Sequence, residues 1–200
     1  MGPARNDVDG GGRGGTGPPR PLLFLDVDGP LIPFGAPPRR HPGGHPTYGP
    51  VDATHPLLNR IDPEHGPRLA ALPCELVWAT TWMSEANATV APRLGLPALP
   101  VLAPGAGGSA DVGRSADDEW SADVGRSAED AWYGLHWKTR PLLAWAAGRP
   151  FAWVDDEITD ADRSWVSAHH PAPALLHRVE PGLGLTTADF GVLAAWLSHH

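Results

Sequence analysis

Cysteine is nearly absent from this chain. Cys74 stands alone among 200 residues, which excludes an internal disulfide and points to a reducing compartment. Its place after Pro73 and ahead of an apolar run suits packing better than nucleophilic chemistry. No apolar run approaches the roughly 20 residues that cross a bilayer. The first twenty residues are polar and glycine-rich, without the apolar core of a secretory leader. The expectation is a soluble, cytoplasmic protein with no membrane partner and no obligate protein partner. A basic stripe that would track nucleic acid is also missing, since Arg39-Arg40-His41 is only a small cationic cluster. Lysine is scarcest of the charged types: Lys138 stands against fourteen arginines. A compact ammonium on a flexible stem can meet a single oxygen where a planar guanidinium does not fit, so its retention marks a possible functional position.

Glycine and proline are abundant, at 24 each, and the two concentrate in long irregular stretches. Residues 1–20 cannot bury enough apolar surface to fold and read as a disordered arm. Residues 21–200 suffice for one domain with a sizeable core. Within it, Ser109-Ala110-Asp111-Val112-Gly113-Arg114-Ser115-Ala116 recurs unchanged as Ser121 to Ala128, a period of twelve. Two acidic copies are too few for a solenoid and have little to bury, so residues 103–132 read as a flexible insert. Residues 109–132 hold seven acids against two arginines, a net −5 of the chain's formal −8. The minority reading makes Trp120 and Trp132 contacts for a partner.

Leu22-Leu23-Phe24-Leu25 reads as a buried strand that runs into Asp26-Val27-Asp28-Gly29. In extended chain, positions i and i+2 share a side, so Asp26 and Asp28 are expected to converge on one point. Gathered acids at a buried strand's exit are costly unless a cation or a reaction uses them. Glu75 to Ala79 is a second short strand ending in Thr80-Thr81, and Phe151 to Val154 is another that ends in Asp155-Asp156. Leu99–Leu102 and Leu175–Val179 are further expected strands. Expected helices lie within Leu57–Leu72, at Ser84–Leu94 closed by Gly95, after a Thr139 cap, over 159–169, and over 188–198 with Thr187 as cap. Alternating strands and helices predict an α/β, Rossmann-like three-layer sandwich with a mostly parallel sheet. Ligands in such sheets sit beyond the carboxyl ends of the strands.

In order, the chain runs strand-Asp-x-Asp-Gly-x-Leu, strand-Thr, Lys before a helix, and strand-Asp-Asp. That order resembles the four motifs of the haloacid dehalogenase-like (HAD) phosphohydrolases. More narrowly, Val77-Trp78-Ala79-Thr80-Thr81-Trp82 with Glu85-Ala86-Asn87, and Phe151 to Glu157, resemble the HAD domain of Swiss Army knife RNA repair proteins. The resemblance implies a phosphatase acting through an aspartyl-phosphate. Asp26 would be the nucleophile and Asp28 the acid and then base. Thr80 would donate to a phosphoryl oxygen, and Lys138 would offset negative charge. Mg²⁺ would be held by Asp26, the Asp28 carbonyl and the Asp155-Asp156 pair. It also implies a phosphorylated small molecule or a nucleic-acid end as substrate. Only about fifty residues separate Asp28 from Thr80, so the cap domain is minimal or absent.

Several assignments stay open in the sequence. Thr81 can replace Thr80, because a one-residue shift of strand exit is invisible. Asp156 is the better direct metal ligand by family pattern, with Asp155 and Asp160 in support; Asp160 equally suits a helix N-terminus. His41, His45, His55 and His65 lack a zinc-ligand spacing and read as loop histidines. Trp82 either packs or stacks on a base or sugar. The competing functions are a phospho-receiver-like signalling domain, whose motif order differs, and a non-catalytic binding module.

Overall fold

The computed structural model describes residues 19–36, 39, 43–49, 55–104 and 128–200. The expected N-terminal arm up to Pro18, the repeat over 109–127 and the Arg40-His41 pair lie outside the described residues. Four strands, β1 (Leu22–Leu25), β2 (Glu75–Trp78), β3 (Phe151–Asp155) and β4 (Ala174–Arg178), form one parallel sheet in the order β2-β1-β3-β4. All four residues of β1 are buried because both faces of the sheet are covered.

The period-2 alternation of β1 assigns the two faces. Leu23 and Leu25 pack with Leu69, Leu94, Phe190, Leu193 and Leu197, contributed by α1 (His65–Ala70), α2 (Ala91–Leu94) and α6 (Thr187–Leu197). Leu22 and Phe24 pack with Leu142, Ala146 and Val166 of α4 (Thr139–Ala146) and α5 (Asp160–His169). Phe24 meets Phe151 edge-on at 5.6 Å between ring centres. The result is the expected α/β sandwich, with helices on both faces. On the first face α1 approaches α2 so closely that a Cβ on Gly66 would lie 1.7 Å from the Leu94 carbonyl oxygen. Only a residue without a side chain fits there. Cys74 is buried and its thiol is pushed up to about 12 by burial, which suits packing rather than attack.

Local differences from the sequence reading have identifiable causes. Leu99–Leu102 forms no strand; Pro97, Pro100 and Pro104 interrupt the ladder, and only Val101 bridges to Trp78. The helix after β2 begins as a π-helical turn over Ala86–Val90 before α2, and Gly95 ends it at φ +64° as expected. Thr139 is the first residue of α4 rather than its cap, and Lys138 takes the cap position. Thr186, not Thr187, caps α6, because Asp189 stands three residues on and completes a capping box with it. His65 is not a loop histidine: it opens α1, buried, with its ring 5.5 Å from that of Phe190. At the end of the acidic insert, Ala128–Tyr133 forms a helix, α3. Among the described residues no helix is long and apolar enough to cross a membrane.

Candidate active site

The strand order sets the site's place. From central β1 the chain goes to β2 on one side and later returns to β3 on the other. The strand order therefore reverses between β1 and β3, and in sheets of this kind ligands sit beyond the carboxyl ends at that point. Asp26 follows β1 with its amide still bonded to the Val154 carbonyl at 3.1 Å, so the ladder fixes its backbone. Asp155 ends β3 and Asp156 follows. One carboxylate oxygen from each of Asp26, Asp155 and Asp156 lies within 4.8 Å of the others, and all three residues are buried.

Lys138 neutralises part of this cluster. Its ammonium contacts Asp26 Oδ2 at 2.8 Å and Asp155 Oδ2 at 2.7 Å, and the side chain is 2% exposed. Burial alone would lower its pKa, but Asp26 and Asp155 reverse that and hold it up at about 12. Asp155 is fully engaged. Its Oδ2 also accepts from the Trp153 indole at 3.1 Å, and its Oδ1 accepts from the Glu157 amide at 2.9 Å. Burial opposes its charge, yet Lys138 keeps its pKa below the usual carboxylate range. Asp26 and Asp156 behave oppositely. Burial, with Asp155 adding repulsion, raises Asp26 to about 7 and Asp156 to about 6.

Gly29 brings the two loops together. At φ +82° it turns the chain after Asp28, and a Cβ there would stand 2.4 Å from Asp156 Oδ1. Asp156 thus fills the space that a side chain would take. Three acids around one lysine leave an excess of negative charge. Asp156, free of a lysine contact and beside Asp26, is the oxygen donor best suited to a further cation. Hard oxygen donors of this kind fit a small divalent ion such as Mg²⁺.

The Asp28 carboxylate is not one of the three acids whose oxygens lie within 4.8 Å of one another, yet it feels the Lys138 charge and has a partner of its own. Its Oδ2 accepts from the Trp82 indole N–H at 2.8 Å. Burial raises the Asp28 pKa, and the Trp82 bond and Lys138 temper the rise. Trp82 packs its partly buried ring against the core, one of the two readings of the sequence, and spends its indole N–H on Asp28. The turn that places it contains Met83 at φ +46°, a left-handed conformation strained for a non-glycine residue. Thr80 is fully buried, and its hydroxyl accepts from the Trp82 amide at 3.3 Å, which leaves its own proton free to donate. Thr81 is exposed.

Two participants escaped sequence reasoning. Asp162, buried on α5, accepts from the Thr159 amide and hydroxyl at 2.9 and 2.7 Å. It also accepts from the His136 amide at 2.8 Å and the Thr139 hydroxyl at 2.5 Å. It ties the start of α5 to the segment that presents Lys138. The Thr159-x-x-Asp162 spacing of a capping box was its available signal. His136 is buried beside the site; its Nδ1 accepts from the Lys138 amide at 3.2 Å, and Nε2 faces Glu157 at 3.1 Å. Burial and the Lys138 charge lower its pKa, so the neutral ring with its proton on Nε2 fits both bonds. Asp160, expected as a supporting acid, is exposed in the first turn of α5, where it complements the helix dipole.

Residues 22–190 match the family described as the HAD domain in Swiss Army Knife RNA repair proteins. No curated protein and no solved structure matches the chain. The matched span holds every residue of the acid cluster together with Asp28, Thr80 and Lys138. The chain therefore belongs to this HAD family, and with it to the hydrolases of the HAD superfamily.

Proposed function

We propose that the protein is a Mg²⁺-dependent phosphatase that hydrolyses a phosphate monoester through an aspartyl-phosphate on Asp26. The observation that carries this reading is the Lys138 ammonium held between Asp26 and Asp155, with Asp156 beside them and unneutralised. Asp26, Asp156 and the Asp28 carbonyl would hold the metal ion, with Asp155 fixing Lys138. Bound there, Mg²⁺ supplies positive charge that keeps Asp26 ionised at neutral pH and offsets the charge of the phosphoryl oxygens.

In the first step Asp26 attacks phosphorus as the ester P–O bond breaks, and Asp28 gives its proton to the departing oxygen. Lys138 and the Thr80 hydroxyl face the negative charge of the phosphoryl group. In the second step Asp28, now a carboxylate, takes a proton from water. That water attacks phosphorus, and the bond to Asp26 breaks to release phosphate. A carboxyl group at position 28 suits an alkoxide leaving group, which dehalogenase chemistry does not produce.

The family description favours a nucleotide or RNA end over a sugar as substrate. A cytoplasmic setting is part of this reading, supported by a single cysteine left unpaired, and the proposed reaction calls for no membrane or obligate protein partner. Turnover of p-nitrophenyl phosphate with Mg²⁺ and with EDTA, beside Asp26→Asn, tests the reading. Metal-dependent turnover abolished by the substitution is expected. Turnover that survives EDTA or Asp26→Asn overturns it, as does phosphorylation that stops after one equivalent. A screen of nucleotides, sugar phosphates and 3′- or 5′-phosphorylated oligonucleotides then identifies the substrate.

A further inference from the structure

A concavity of about 540 Å³ opens between α1 and the start of α6. It adjoins the catalytic loop: Pro33 forms part of its wall, and Leu185, also in the wall, donates its amide to the Pro30 carbonyl at 2.8 Å. Two arginines, Arg60 and Arg68, line it against one carboxylate, Asp62. Both arginines are held in place. Arg60 donates to the Pro33 carbonyl at 2.7 Å, while Arg68 lies 4.1 Å from the Phe190 ring centre and reaches the Thr187 hydroxyl at 3.4 Å. Each guanidinium carries five N–H donors, so these bonds leave others to spare.

The start of α6 adds donors. Thr187 and Ala188 are the first two residues of the eleven-residue α6, and their amides have no carbonyl inside the helix to reach. The capping box of Thr186 and Asp189 satisfies the amides on either side and leaves these two. His65, 9% exposed, also forms part of the wall; burial lowers its pKa, so the ring adds no fixed charge of its own. An anion in the concavity would meet the two free α6 amides and two fixed positive charges.

We propose that this concavity is a phosphate-binding subsite, separate from the acid cluster, that takes a free phosphate, a monoester or a phosphodiester. Where the ligand is a diester, the enzyme's substrate is a nucleic-acid-like polyanion anchored here while another phosphate meets Asp26; that consequence rests on the phosphatase reading. The two places differ in sign. Without a divalent ion the acid cluster repels phosphate, whereas the concavity attracts it, so EDTA separates them.

Metal-free protein in EDTA is titrated with inorganic phosphate and, separately, with a dinucleoside monophosphate. Calorimetry and the NMR amide shifts of Thr187 and Ala188 report binding. Saturable binding that moves both amides is expected, and Arg68→Ala should weaken it about tenfold or more, the usual loss for one charge-assisted hydrogen bond. Diester binding assigns the subsite to a nucleic-acid chain, and binding of inorganic phosphate alone assigns it to a free anion or monoester. Absence of binding by both ligands, or an affinity indifferent to Arg68→Ala, overturns the proposal. If Arg68→Ala does not fold, the wild-type amide shifts decide the question alone. Neither measurement needs turnover, so a protein that binds phosphate here but hydrolyses nothing would sink the phosphatase reading and leave this one standing.

Discussion

The indole N–H of Trp82 is 2.8 Å from Asp28 Oδ2, joining residues 54 positions apart in sequence. On the proposed mechanism, with Oδ2 occupied, Oδ1 would be the oxygen that carries the proton to the leaving group. Trp82→Phe keeps a ring and removes the donor. A hydrogen bond to a charged group contributes roughly 1.5–3 kcal/mol, so turnover of an alkyl phosphate should fall about ten- to a hundredfold. p-Nitrophenyl phosphate needs little protonation of its leaving group and should lose far less. In an Asp28→Asn background the effect on the alkyl ester should largely vanish, because the two residues act through one bond. Equal losses on both substrates would show that the ring only packs.

Lys138 is the sole cation of the cluster among the described residues. Lys138→Met leaves Asp26 and Asp155 facing each other in a buried site. Removing one partner of a buried ion pair costs about 3–5 kcal/mol, which for a chain of this size is a fall in Tm on the order of 10 °C. Calorimetric melting in EDTA checks this. Activity should be lost as well, and Lys138→Arg should not restore it, since the larger planar head does not fit where an ammonium touches two carboxylates.

Asp26 and Asp156 hold their protons more tightly in the fold than in the unfolded chain, with values of about 7 and 6 against 3.8. The folded state therefore binds more protons between about pH 4 and 7, and these groups make metal-free stability fall as pH rises through that window. Mg²⁺ requires the ionised forms, so the Tm increase it produces should grow from pH 5 to pH 8. Asp156→Asn removes a repelling charge and a ligand together. It should raise the metal-free Tm at pH 8 and abolish the response to Mg²⁺. Differential scanning fluorimetry across pH, with and without the ion, gives both readings.

Asp162 touches no reacting atom, yet its two oxygens accept four hydrogen bonds: two close the cap of α5 at Thr159, and two, from the His136 amide and the Thr139 hydroxyl, join α5 to the segment bearing Lys138. Asp162→Ala strands those donors in a buried place. A loss of several kcal/mol is expected, because each unsatisfied buried group costs about 1–3 kcal/mol. Urea unfolding should show a lower midpoint, and kcat should fall more than KM rises, since Lys138 loses its support.

Much of the site was readable because strands announce their exits. Asp26, Thr80 and Asp155-Asp156 each follow a short apolar run, and a parallel sheet brings such ends to one edge. What sequence could not show was rotation about those exits. Asp28 shares a side with Asp26 in an ideal strand, but nothing in that spacing announces the turn at Gly29 or the Trp82 indole, 54 residues on, that bonds its carboxylate. Thr139 looked like a cap because caps are local; its hydroxyl instead answers Asp162, 23 residues on. Thr186 and Thr187 are adjacent, and only the position of Asp189 distinguishes them. The Leu99–Leu102 run looked like a strand, but Pro100 inside it and the prolines on either side denied it a ladder.

Leu22 pairs with Phe151 and Leu25 with Val154, so the centre of the sheet closes a very long loop. During synthesis β1 leaves the ribosome well before its β3 neighbour exists, with four apolar residues needing shelter. Such non-local parallel pairing slows folding and prolongs exposure to aggregation. The mutual repulsion of the three carboxylates arises only when that pairing is made, so a divalent ion in the refolding buffer should improve the yield of native protein at neutral pH.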